Sequence, residues 1–236
     1  MSSRQEEKER RRHERQEREE AAAAKAATRR RLQLVAGGVL AVAAVVAVVV
    51  AITAGGGSGS NSAAKEQLGT AAIPAKTISD FDQAVKAAGC VFTTYTSEGR
   101  THLPSDTATN NNYKTNPPTS GAHRPTPAQD GVYAPGNPPA KENAVHALEH
   151  GRIEIEYAPS ISKQQRAQLN TLFNERVKGV EGYHELLFEN NTNMPYQVAA
   201  VAWTQLLGCK TMNAQTFDAI RAFRDRFVDK GPELIP

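Results

Sequence analysis

Residues 141–157 read KENAVHALEHGRIEIEY. Two periodicities meet in this stretch. Lys141–His150 predicts a short helix that Gly151 stops, because glycine readily takes the left-handed turn that closes a helix. From Arg152 to Tyr157 the pattern changes to period two, with isoleucine and glutamate alternating. That predicts a half-buried strand, one face on a core and the other in water.

Similar signals lie on both sides. Downstream, Ser162–Val177 predicts a helix capped by Ser160 or Ser162, with Ala167, Leu169, Leu172 and Phe173 inward. Glu185–Phe188 and Val198–Trp203 read as strands, and Phe217–Phe227 as a closing amphipathic helix. Upstream, Thr77–Ala88 reads as a helix capped by Ser79 or Asp80 and ended by Gly89, followed by a short strand, Cys90–Tyr95. Between these parts, Leu103–Pro139 holds eight of the 13 prolines. Irregular connections beyond about 12–15 residues are uncommon in compact domains and tend to be functional or disordered. Helices and strands are mixed without a strict βαβ rhythm and without an internal repeat. The expected fold class is therefore α+β: a single compact domain, residues 73–236, with a small mixed sheet and flanking helices.

The chain before this domain has a different texture. Residues 32–54, LQLVAGGVLAVAAVVAVVVAITA, carry no charge. Twenty-three residues span roughly 34 Å as a helix, enough to cross a hydrocarbon core of about 30 Å. The run exceeds the roughly 7–15 apolar residues of a signal-peptide core and lacks a clean A-x-A site. It reads as an uncleaved signal-anchor helix in the lipid bilayer. Lys25, Arg29, Arg30 and Arg31 precede it, whereas the other side opens with GGGSGSNSAA. The positive-inside rule puts residues 1–31 in the cytoplasm and the C-terminal domain outside the cell membrane. Residues 55–72 then read as a flexible Gly/Ser linker. Glu6–Arg10, Glu7–Arg11 and Glu14–Arg18 would support a solvated helix in the tail, whose basic excess suits anionic headgroups.

Charge separates the same parts. The whole chain is +3, but residues 1–31 hold 11 basic and 7 acidic side chains, leaving the remainder at −1. No concentrated basic surface is implied outside the tail, so nucleic-acid binding is not expected. With glycine included the apolar fraction is about 46%, which excludes collagen-like or fully disordered chains.

Cys90 and Cys209 are the two cysteines. On the outer side of a membrane an even pair reads as a structural disulfide. A redox pair or thiolate metal ligands are the alternatives, without a C-x-x-C to favour them. Of six histidines, His102, His123, His146 and His150 cluster around the proline-rich segment. His146 and His150, four apart, leave one face of a helix. A set of three or four imidazoles suits zinc or copper. His146, Glu149 and His150 also fit H-x-x-E-H, in which two histidines bind zinc and the glutamate activates water. Glu149 would then be catalytic, with a further ligand from Glu181, Glu185 or Glu189, none persuasively spaced. Three functions remain open: a tethered domain binding a metal ion or small ligand, a metal-dependent hydrolase, and an envelope scaffold in which the histidines are architectural.

The runs PPTSGAH (117–123), GVY (131–133) and VHALEHGR (145–152) together resemble the bacterial, mostly actinobacterial family called domain of unknown function 3105. Ala88-Gly89-Cys90, Gly99–His102, Ala202-Trp203 with Cys209, and Gly231-Pro232-Glu233 resemble further positions of that family. The likeness runs over about residues 77–236 and departs at Ala122, where proline is frequent. It implies a layout of basic tail, single span and outer domain. It also implies that His102, His123, His146, Glu149 and His150 share one site and that Cys90 pairs with Cys209. It implies no activity and no substrate.

Overall fold

In the computed structural model the elements run in chain order as α1 (Phe81–Ala88), β1 (Val91–Thr94), β2 (Gly131–Val132), α2 (Lys141–Glu149) and β3 (Ile153–Tyr157). They continue with α3 (Lys163–Phe173), β4 (Arg176–Val177), β5 (Val180–Glu181), β6 (Glu185–Glu189), β7 (Val198–Ala202), β8 (Gln205–Cys209) and α4 (Ala214–Phe227). The structure describes residues 64–65, 67–233 and 235. The expected cytoplasmic tail and the span at 32–54 lie outside them, as does His13. Among the described residues no helix is long and apolar enough to cross a membrane.

The fold is α+β around a mixed six-stranded sheet in the order β1-β8-β7-β3-β6-β2. β3 lies parallel to β6 and antiparallel to β7, and β2 continues the parallel side. A separate β4–β5 hairpin stands apart from this sheet. One sheet face, with Ile153, Ile155 and Tyr157, packs against α1, α3 and α4 through Phe81, Leu172 and Phe223. The other face carries Ala199, Val201 and Leu206, and α2 covers it through Val145 and Leu148.

Local chemistry explains the helix limits. Asp80 caps α1 by accepting from the Gln83 N–H, and Gly89 closes it at φ +66°. Ser162 and Gln165 form a capping box at the start of α3. That helix ends sooner than its sequence suggests. Asn174 closes it, and Arg176 and Val177 pair with β5 through a turn in which Lys178 and Gly179 take positive φ. Packing also extends ahead of the expected start at Ile73. Ala64 and Leu68 are buried in the main core, and Asn170 donates to the Lys65 and Gly69 carbonyls.

The expectation that β3 is half-buried is not met: all five of its residues are buried. α2 lies over the side that carries Glu154 and Glu156. These two line a cavity of about 10 Å³ with Ala144, Val145 and Phe188, close to the space one water needs. Asn190 Nδ2 donates to Glu156 Oε2 at 2.6 Å, while Glu154 Oε1 has no hydrogen-bond partner among the described residues. Burial pushes the Glu154 carboxyl well above its ordinary range, and Glu156 beside it adds to the rise.

The folded state therefore keeps a proton that the unfolded chain releases near pH 4.5. Its contribution to stability is full below that pH and is lost as pH rises toward the folded value. Above pH 4.5 this group makes stability fall with rising pH. Glu154→Gln is expected to flatten that decline by as much as about 1 kcal/mol per pH unit, in melts across a pH series above 4.5. An unchanged slope would contradict the assignment.

Candidate metal centre

α2 and the proline-rich segment build the site together. His146 lies in the last turn of α2 and His150 caps its C-terminus, and their Nε2 atoms are 3.0 Å apart. His123 arrives from the segment, where it forms an isolated bridge to His102. The segment is fastened to α2 by other groups as well. Arg124 donates to the Ala108 carbonyl and to Asn143 Oδ1, and the Asn110 N–H donates to Glu142 Oε1.

Three of the expected ligands converge, and His102, His123 and His146 are joined by Glu149. One ligand atom from each lies within 4.8 Å of all the others. The rings of His102, His123 and His146 have centroid separations of 4.7–5.0 Å. His150 falls outside this set. It groups with Glu149 and Glu233 under the same distance limit, so Glu149 belongs to both sets. None of Glu181, Glu185 and Glu189 enters either set. Glu185 faces Arg224 instead, 3.4 Å away.

Backbone hydrogen bonds fix the tautomers. His123 Nδ1 lies 2.8 Å from the Gly121 carbonyl oxygen, and His146 Nδ1 lies 2.6 Å from that of Arg124. A carbonyl oxygen only accepts, so each Nδ1 carries the hydrogen and each Nε2 presents a lone pair. This is the usual support for a metal-bound imidazole. His123 is fully buried, and its Nε2 has no hydrogen-bond partner among the described residues. It nevertheless lies 3.0 Å from Glu149 Oε2. The separation is within ion-pair reach, but the atoms are not aligned as donor and acceptor. An unpaired lone pair beside a carboxylate oxygen at that distance is a donor pair that one cation could take up side by side.

The titration behaviour agrees with this donor chemistry. Burial lowers the pKa of His123, with His102 lowering it further against the raising effect of Gly121. Burial likewise lowers His146, and His150 is pushed down to about 4 by burial and then by His146. His123, His146 and His150 are therefore neutral at neutral pH, the form in which an imidazole can bind a metal. Burial raises the Glu149 carboxyl, Glu233 raises it further, and His146 and Arg100 oppose the rise. Arg100 Nε lies 3.7 Å from Glu149 Oε1 at the exposed rim.

The pairing that the family resemblance implied for the cysteines is present. Cys90 and Cys209 form a disulfide at the junction of β1 and β8. The chain has no free cysteine, so no thiolate joins the centre.

Glu233 escapes a reading of local sequence. It lies 83 residues from His150 and comes from the C-terminal segment after α4. The Glu233 N–H donates to the Glu149 carbonyl at 3.1 Å, and the Asp229 N–H donates to that of Gly151. Gly231 permits this approach, because a Cβ there would collide with the Glu149 carbonyl oxygen and the Gly151 nitrogen.

An α+β domain with an imidazole-and-carboxylate cluster that could hold a metal ion is thus defined by its own geometry. The family described as protein of unknown function, DUF3105, matches residues 105–234, and the chain belongs to it. The match includes His123, His146, Glu149, His150 and Glu233, and begins just after His102. No curated protein and no solved structure matches the chain.

Proposed function

We propose that this is a single-pass membrane protein whose outer domain binds a divalent transition-metal ion, zinc or copper, through His102, His123, His146 and Glu149. The carrying observation is His123 Nε2: buried, without a hydrogen-bond partner among the described residues, and 3.0 Å from a carboxylate oxygen while its Nδ1 is held by a backbone carbonyl. Three imidazoles and one carboxylate suit zinc or copper(II). The membrane part of the proposal rests on the uncharged stretch 32–54 and the basic residues before it.

Glu149 acts here as a ligand rather than as a general base. It sits within the same 4.8 Å as the three imidazoles, and four protein ligands fill a tetrahedral ion. This favours metal binding over the hydrolase that H-x-x-E-H suggests. Elemental analysis of the full chain purified without chelator tests the reading. At least one equivalent of metal is expected, lost in His146→Ala, with a lower melting temperature after EDTA treatment. A metal-free chain whose melting is indifferent to EDTA would favour an architectural role for the histidines.

A further inference from the structure

We propose that the cluster is a two-ion centre, with the Glu149 carboxylate bridging the first ion to a second one held by His150 and Glu233. This rests on the metal-binding reading above and extends it to a ligand set that the histidine pattern alone does not contain. Three features of the site support it.

The first is the sharing of Glu149. It satisfies the distance limit with His102, His123 and His146, and again with His150 and Glu233. A carboxylate has two oxygens, and bridging carboxylates suit paired ions that sit roughly 3.5–4 Å apart.

The second is the position of His150. The ring is buried, and its Nε2 lies 3.0 Å from His146 Nε2 and 3.8 Å from Glu233 Oε2. His146 Nε2 carries a lone pair, because its Nδ1–H is committed to the Arg124 carbonyl. When that lone pair binds the first ion, it no longer accepts from His150. With its proton moved to Nδ1 the second imidazole then presents an Nε2 lone pair of its own, and Glu233 and Glu149 are the carboxylates beside it.

The third is the way Glu233 is delivered. The segment Gly231–Glu233 is seated on the end of α2 by backbone hydrogen bonds and by a glycine with no room for a side chain. Glu233 is thereby anchored through its main chain while its side chain stays 46% exposed. Three protein ligands leave the second ion open positions on this solvent-facing side. The two carboxylates of the cluster would also be neutralised by the added charge.

Zn²⁺ binding to the full chain, by equilibrium dialysis and elemental analysis at neutral pH, tests the proposal. The wild type is expected to hold two equivalents. Glu233→Gln, an exposed substitution that leaves the core untouched, is expected to hold one, with the affinity of the first ion changed less than about 10-fold. One equivalent in both proteins would overturn the second ion and leave the one-ion reading intact. Two equivalents in Glu233→Gln would overturn the ligand assignment. No zinc in the wild type would remove both readings.

Discussion

Replacing His123 with alanine is expected to lower the Zn²⁺ affinity of the full chain by more than about 100-fold. Losing a partner that merely orients a metal ligand costs about 10–100-fold, and His123 is placed as a ligand itself. Its Nε2 is at 3.0 Å from Glu149 Oε2 and its Nδ1 is held at 2.8 Å by the Gly121 carbonyl. A loss of folding could mimic the effect, because His123 is fully buried and packs near Trp203. Melting with and without metal separates the two. An ion at about 1,000 times its dissociation constant stabilises a protein by about 4 kcal/mol, so the wild type should melt well above its EDTA-treated form. His123→Ala should show a much smaller metal-dependent shift than the wild type. A metal-dependent shift as large as that of the wild type would contradict the assignment.

The double substitution Cys90→Ala with Cys209→Ala is expected to cost about 4 kcal/mol and to lower the melting temperature by on the order of 10 °C. The bridge closes a chain segment with a sequence separation of 119. Restricting so long a loop in the unfolded chain has a large entropic effect in the loop-closure description. The bridge also holds an exposed edge. β1 has four residues, pairs with β8 alone, and leaves Val91 exposed. Without the bridge, its attachment falls to that ladder and to Phe92 against Phe81 and Phe227. Metal affinity should be unchanged in the metal-loaded double variant, since neither cysteine belongs to the histidine cluster. Scanning calorimetry reads the first effect and zinc titration the second. A melting temperature within a few degrees of wild type would contradict the structural role of the bridge.

The parts of the fold visible in the sequence are those with long local periodicity. Ile153, Ile155 and Tyr157 mark β3, and Phe217, Ile220 and Phe223 mark α4, because each set repeats within its own element. Alternation reports which residues share a face, not what covers that face. Hence Glu154 and Glu156 read as solvent-facing until α2 is seen above them. β8 gave no such signal. Its run QLLGC does not alternate, and Gly208 serves its neighbours: a side chain there would collide with the Tyr196 ring. Two-residue strands such as β2 are too short to carry a period at all.

The site divides in the same way. His146, Glu149 and His150 were legible because one helical turn fixes their relations. The convergence of His102 and His123 was implied by family resemblance, and the bridge between them is a long-range pairing that local spacing does not encode. Glu233 is the extreme case. Its place beside His150 depends on Gly231 fitting against the Glu149–Gly151 backbone, a tertiary contact with no local pattern. The split of the histidines into two sets sharing Glu149 follows from that contact.

X-ray absorption at the edge of the metal found in the full chain, purified without chelator, tests the centre most directly. The account predicts a first shell of nitrogen and oxygen at about 2.0–2.1 Å, with imidazole scattering and no sulfur. A sulfur-containing shell, or a chain that binds neither zinc nor copper, would contradict it.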